Sequence, residues 1–549
     1  MVPDPAGPPG AHDPGGASAR AVHAKADIMN TTRSPHCLES PSRLGQRRPR
    51  RMDRPEYILL EHAEASVVRC TFSHLAFSSS RRISTENTPP PSPKTKDNSL
   101  TMAPPLADLN IHIIGAGMGG MGCALSLARQ GFTNIHVWES ATALGEVGAG
   151  INIVPNLARI LERWGVLHIA QAEGVALDGA SVLNCATDET LTTVDFQYMS
   201  DEFGYPFLVV HRKALQKCLV SGAMDSGVVK LHLNKVVSEY DFENTRFLVQ
   251  DRQKVPAGDE INGITEPQYV DADVILAADG VRSKARGAML QRKGEVDSVV
   301  DTGQAAYRIM VRRSMINEDP ELLPFFTGSH SYRWIGEKRH IIAYPIDSHD
   351  LFNMSTAHPD RRFVEADSWT ATGSKKEMLE VFHDFCPRVQ KLLSLVPEGD
   401  VLEWKLRVHE PLSTWVDHNV ALVGDACHPT LPHLAQGAAQ AVEDAAVLGV
   451  VLSRITDRKD INKALQVYQA VRKPRADWAV MTAAANGKGL HLGAGKDKDA
   501  RDAAFKAADK KGGANPDKQI DRDVQRTLYS HDCAKEAEIQ FEELFKQAV

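Results

Sequence analysis

Ile111-His112-Ile113-Ile114-Gly115-Ala116-Gly117-Met118-Gly119-Gly120 is the stretch whose reading decides the fold. Its first four residues form a short apolar run of the kind found in a buried strand, and the glycines break that run at once. Met121–Gln130 then reads as a helix, and Ile135-His136-Val137-Trp138 as a second strand ending on Glu139. A strand, a glycine turn, a helix and a strand make a βαβ opening of the dinucleotide-binding type. In it Gly115 allows the tight turn and Gly117 lets backbone approach a pyrophosphate. Gly120 lets the helix pack on the strand, and the first N–H groups of the helix face the negative charge. Glu139 stands where a carboxylate can accept hydrogen bonds from a ribose diol, and it disfavours a 2′-phosphate there. A glycine pattern alone is a weak signal; strand, helix and acid in register make it specific.

Working outward, Val274-Ile275-Leu276-Ala277-Ala278 and Val420-Ala421-Leu422-Val423 read as two further buried strands, each running into a carboxylate–glycine pair. Between them Tyr332–Asn353 alternates apolar and polar residues, as in an antiparallel sheet covered on one face. From Ala438 onward the pattern is mainly helical, and Gly487–Gln519, rich in Gly, Lys and Asp, reads as an exposed excursion. The expected fold is α/β: a Rossmann-like nucleotide-binding domain, an inserted antiparallel-sheet substrate domain, and C-terminal helices. The expected boundaries are 1–105 for an N-terminal extension, 106–290 and 411–455 for the two parts of the nucleotide-binding domain, 291–410 for the insert, and 456–549 for the helices.

The 549 residues suffice for two or more packed units. Hydrophobic content of 42% and charged content of 24% are those of a globular protein. A formal charge of -7 gives no reason to expect nucleic acid. No apolar run approaches the roughly 18 residues of a membrane span, and the N-terminus lacks the apolar core of a secretory signal. Pro3–Gly16, the basic run Arg43–Arg54 and the Ser/Pro/Thr-rich Phe77–Thr101 show no hydrophobic period and read as disordered. Their Arg and Ser content suits a mitochondrial transit segment, but the early Asp4, Asp13, Asp27 and Glu39 do not, and Met102 offers an alternative start. The eight cysteines form no CxxC pair, which suits a reducing, cytoplasmic setting. Cys427 and His428 have no partner at ligand spacing, so no metal is expected.

Two later motifs narrow the nucleotide. Ala278-Asp279-Gly280-Val281-Arg282-Ser283 and Gly424-Asp425-Ala426-Cys427-His428-Pro429 follow strands, in order after the glycine turn. With them the chain, from about Asn110 to the C-terminal region, resembles the group A flavoprotein aromatic monooxygenases, the para-hydroxybenzoate and salicylate hydroxylase family. The resemblance implies FAD as cofactor, NADH or NADPH and O2 as co-substrates, a phenolic or aromatic carboxylic acid as substrate with loss of CO2 where a carboxylate sits on the attacked carbon, and a monomer or homodimer. By the same resemblance Asp425 binds the ribityl hydroxyls, Gly437 and Ala438 open a helix toward the flavin, Arg212 in His211-Arg212-Lys213 contacts the cofactor, Ala149 and Gly150 pass close to the ring, and Asp279 completes the cofactor set.

The catalytic candidates are Tyr307, for orienting a substrate oxygen, Arg282, for stabilising a phenolate, and His433, in the stretch over the flavin face. Each has a plainer reading: Tyr307 as core, Arg282 as a brace for its turn, His433 as pocket lining. The chain also departs from the family. Some phenol-hydroxylating members carry His four residues before the Tyr, where Gly303 stands here, and fungal-type relatives carry Tyr at the place of His433. Two other functions share these motifs in part: another flavin oxidoreductase acting on an amine or thiol, and a flavin-free binding protein resembling GDP-dissociation inhibitors.

Overall fold

The computed structural model describes residues 104–548 apart from 146–147, 253–265, 298, 317, 361–369 and 512–513. The readings made for the N-terminal hundred residues lie outside this range.

The glycine-turn strand Ile111–Ile114 is fully buried and sits at the middle of a six-stranded sheet. It pairs in parallel with Ile135–Trp138 on one side and Val274–Ala277 on the other. Val229–His232 and Val420–Leu422 extend the parallel set, and Val416–Asp417 adds an antiparallel edge. Strands buried on both faces need continuous apolar runs, which is what these short segments supply. The helix Met118–Gln130 covers one face. It is itself overlaid by Gly437–Ser453, which is buried along almost its whole length. Gly122 and Gly449 let the helices approach: a Cβ at Gly449 would stand 2.3 Å from Ser126 Oγ.

The second large sheet has eight strands. Its core is the antiparallel set Leu402–His409, Val299–Arg312, Leu351–Pro359, Arg339–Ile346 and His330–Gly336. Gly179–Asn184 joins His330–Gly336 in parallel and carries Thr190–Asp195 at the edge. This sheet therefore draws two strands from well before residue 291, lying between the first βαβ unit and the parallel strand Val229–His232. One of its faces packs a separate apolar core of Phe325, Phe326, Trp334, Phe352, Phe382 and their neighbours. Among the described helices none is long and apolar enough to cross a membrane.

The stretch after Gly487 differs from the exposed excursion that its composition implies. The helix Ile461–Leu490 runs on past Gly487, Lys496–Lys511 is a second helix, and Phe505, Asp517 and Gln519 are buried. Asp517 and Gln519 are turned inward onto the buried Arg333, whereas Lys496, Asp497, Asp499 and Lys506 are exposed, so composition misreads the end of the stretch and not its first helix.

One face of the parallel sheet carries a row of rings across three strands. His112, His136 and His232 stack at 4.7 and 5.2 Å between centroids, with Trp138 stacked 4.0 Å from His232. The Trp138 indole N–H donates to His112 Nδ1 at 2.9 Å, which commits that nitrogen to accepting. Burial, with His136 and His232 nearby, lowers the His112 pKa to about 3, and burial lowers that of His136 to about 4. The unfolded chain thus binds more protons than the folded one below pH 6.5, and stability falls as the pH drops through that window. Between pH 7 and 5 the loss expected from His112 alone is about 2 kcal/mol. Urea unfolding at the two pH values checks this: His112→Gln should lose that much less than the wild type, and equal losses would contradict it.

Candidate functional site

Four strands of the parallel sheet end on one side, at Gly115, Glu139, Ala278 and Val423. Ligands of open α/β sheets bind at such carboxyl ends. There a cleft of about 1430 Å³, open to solvent at its mouth, runs between the strand ends and the eight-stranded sheet.

Gly115 takes φ +100°, and a Cβ on it would lie 2.4 Å from the Ala278 carbonyl oxygen. A Cβ on Gly120 would lie 1.9 Å from the Gly115 carbonyl oxygen, so helix and strand meet at backbone distance. Gly117 has nothing within 4 Å of its missing Cβ and lines the cleft. Two helices start at the cleft, Met118–Gln130 and Gly437–Ser453, and neither has a side-chain cap. Their first N–H groups are left for a ligand, as at an anion site.

Glu139 sits beside the turn rather than in the cleft wall. Its carboxylate accepts the Ala116 N–H at 2.9 Å and the Ala141 N–H at 2.8 Å, which ties the turn to the second strand end. Ala149, Gly150, Arg212, Asp425, Gly437 and Ala438 all line the cleft. Gly150 donates to Asn353 Oδ1 at 2.7 Å, and the Arg212 N–H donates to the Ala149 carbonyl at 2.8 Å. Asp425 is open to the cleft space but deep between its walls. That enclosure raises its pKa, against the pull of His428, Arg212 and Arg308. Asp279 turns away from the cleft, and its carboxylate accepts the N–H groups of Lys284 and Ala285 at 2.9 and 3.3 Å, capping the helix Lys284–Arg292.

The structure does not bring Arg282, Tyr307 or His433 to the cleft wall. Arg282 is exposed on its turn. The buried arginine there is Arg286, paired with Asp297 at 3.0 Å and donating to the Ala426 carbonyl at 3.1 Å. Tyr307 is buried against His358, ring to ring at 4.1 Å, in the core on the far face of its sheet. Successive strand residues face opposite ways, so its neighbour Arg308 enters the cleft, with its guanidinium 4.6 Å from the Trp404 ring. His433 is buried behind Pro432, between His340 and His491. It fits only because Gly487 lacks a side chain; a Cβ there would be 2.5 Å from the His433 ring. Asn152, Tyr344 and Gln519 are cleft residues without a motif. For Arg308 the period-two pattern beside Tyr307 was the available signal; for the others there was none.

Beneath the cleft lies an ion network in which Arg472, Glu443 and Asp444 are fully buried and Arg475 is partly exposed. Arg472 pairs with Glu443 at 2.7 Å and with Asp444 at 2.9 Å, and Arg475 pairs with Glu443 at 2.7 Å. Asp444 also accepts the Gly424 N–H at 2.9 Å and meets His428 Nε2 at 2.6 Å. Burial pushes the Glu443 carboxyl up, but Arg475 and Arg472 outweigh it and hold the pKa at about 2. The ligand atoms of Cys427, His428 and Asp444 lie within 4.8 Å of one another, a proximity that sequence spacing hides. Arg472, Gly424 and His428 already satisfy the Asp444 carboxylate, while His428 Nδ1 has no hydrogen-bond partner.

The family model described as FAD binding domain matches residues 108–484. The chain is 32% identical over 433 residues to FAD-dependent monooxygenase atnJ of Arthrinium sp, covering 79% of this chain and 96% of that protein. It is 33% identical over 371 residues to 3-hydroxybenzoate 6-hydroxylase 1 of Aquipseudomonas alcaligenes, covering 67% and 85%. The fold matches a salicylate hydroxylase substrate complex with a TM-score of 0.62 at 22% identity, over 79% of this chain and 98% of that one.

Arg472→Met removes the cation between two buried carboxylates and should cost roughly 3–5 kcal/mol of stability. Denaturant titration measures this, and wild-type stability would mean that Arg475 and His428 suffice.

Proposed function

Because the chain belongs to the FAD binding domain family of FAD-dependent monooxygenases, we propose that its cleft hydroxylates a phenolic or aromatic carboxylic acid held against the eight-stranded sheet. The observation that carries this reading is the composition of one cleft. The glycine turn, Asp425 and two uncapped helix N-termini form one wall, and Arg308 and Tyr344 project from the other. Relatives of this chain are named for 3-hydroxybenzoate hydroxylation, which supports a ring as substrate.

The residues present fit FAD. Gly117 leaves room for a pyrophosphate beside the first helix N-terminus. Glu139 accepts from Ala141 and Ser140 at Oε1 and from Ala116 at Oε2, which leaves Oε2 able to accept a ribose hydroxyl. Asp425 and Arg212 would hold the middle of the cofactor, and Ala149, Gly150, Gly437 and Ala438 the ring. When bound and reduced by NADH or NADPH, FAD supplies the activated form of O2 from which one oxygen atom enters the substrate.

The chain's own residues do the rest. A guanidinium beside a phenol favours the phenolate, and ionisation makes the ring electron-rich. Arg308 holds that place in this reading. The N-terminus of Gly437–Ser453 would stabilise negative charge on the reduced ring. Ile342, Tyr344 and Pro432 line the cleft and shield the reacting atoms from water.

Asp425→Ala should weaken FAD binding by about tenfold or more, the loss of one charge-assisted hydrogen bond. Flavin absorbance after gel filtration reads this, and unchanged flavin content would remove Asp425 from the cofactor set. A wild-type protein that stays colourless with added FAD would overturn the enzyme reading altogether. Arg308→Gln should keep FAD yet reduce hydroxylated product per NAD(P)H oxidised by about tenfold, whereas Tyr307→Phe should change it little. The reverse order would return the role to Tyr307.

A further inference from the structure

Next to the cleft, and sharing Asn152, Ile342, Tyr344 and Gln519 with it, lies a second chamber, much smaller, with room for a water-sized group. Its walls are largely apolar, with Leu177, Val182, Phe196, Phe207 and Ile520 among them. Among the described residues that line it, Arg333 is the one cation and Asp517 the one carboxylate.

These two are paired with each other. Arg333 rises from the strand His330–Gly336, is 4% exposed, and donates to Asp517 Oδ2 and to Gln519 Oε1, while its Nε has no hydrogen-bond partner. Asp517 is 1% exposed and is held from behind. Its Oδ1 accepts from Asn486 Nδ2 and from the Gln519 N–H, both at 3.0 Å. Asn486 also donates to the His433 carbonyl at 2.9 Å and accepts the Lys518 N–H at 2.9 Å. The acid is thus built into the long helix and the C-terminal turn, and it cannot swing out to vacate the arginine without breaking them. A substrate carboxylate entering here would put two buried carboxylates on one guanidinium, a net negative charge with no water to dissipate it. Asn152 Oδ1, by contrast, is a buried acceptor with no hydrogen-bond partner, suited to a neutral hydroxyl donor.

We infer that Asp517 sets the charge specificity of the site: the ring substituent that reaches into the chamber is an uncharged hydroxyl, and benzoate-type carboxylates are disfavoured there because Asp517 already neutralises Arg333. The inference rests on the monooxygenase reading and narrows its substrate class toward neutral phenols, with Arg308 left to the oxygen on the cleft side. Asp517 and Gln519 lie beyond residue 484, where the family match ends.

The test uses FAD-loaded protein with calorimetry and perturbation of the flavin spectrum as binding readouts. Salicylate and 3-hydroxybenzoate are the acidic probes, and resorcinol and orcinol the neutral ones. The wild type should bind the acids more weakly than the phenols. Asp517→Asn, which keeps shape and loses charge, should tighten acid binding by about 30-fold and move phenol binding less than about threefold. Arg333→Gln/Asp517→Asn should lose that gain. Arg333→Gln alone is the mirror test, needed if Asp517→Asn does not fold: it leaves the acid unpaired and should favour tyramine, a phenol with a cationic arm, over resorcinol. Wild-type preference for the acids, or no gain in acid binding in Asp517→Asn whether or not phenols bind, would overturn the inference. Product analysis separates the two readings: a charge swap in binding with no hydroxylated product from any probe would count against the monooxygenase reading and not against Asp517.

Discussion

Arg472 is the constraint on which the cleft depends. It is wholly buried, and its guanidinium spans two consecutive carboxylates, Glu443 and Asp444, on a helix that is itself buried. Such a cluster is stable only when every charge is matched, and here each one is. Through Asp444 it holds the Gly424 N–H and the His428 ring, and so the loop that presents Asp425. Through Glu443 it reaches Asn156, and Gln440 links it to Gln436 at the start of the helix facing the cleft. The position of a cofactor-facing loop and of a helix N-terminus is therefore set from below by charges that never meet a ligand.

The opposite wall is set by packing rather than charge. Val299–Arg312 is a long central strand with one face against the apolar core of Phe352, Phe382 and Tyr307 and the other toward the cleft. The alternation that puts Tyr307 among aromatic rings puts Arg308 opposite Asp425. Gly303, at φ +65° beside the register shift between Asp301 and Gln304, releases the strand from strict pairing just before that point.

The C-terminal helices are more than an appendage. Arg472 and Arg475 hold the floor of the cleft from the helix Ile461–Leu490, and Asn486 on the same helix braces Asp517 against Arg333. One helix thus supports both the cofactor side and the chamber beside it. That arrangement couples stability and specificity, since loosening the helix would disturb both.

By itself the sequence determined four of the five parallel strands, the glycine turn, the two carboxylate–glycine ends and the alternating sheet, because each is a local pattern in which period, turn residues and neighbours agree. From these the nucleotide layer, and by resemblance its cofactor, were legible. Only the tertiary structure decided which of two adjacent side chains, Tyr307 or Arg308, faces the cleft, that Arg282 stays outside it, and that His433 lies behind Pro432. It also decided that Asp517 and Gln519, at the end of the polar stretch after Gly487, fold inward. Those outcomes depend on which buried partner waits across the chain: Asp517 is 184 residues from Arg333, and Arg472 is 29 from Glu443. A charged residue reads as surface until its counter-charge is found, and no local pattern carries that information.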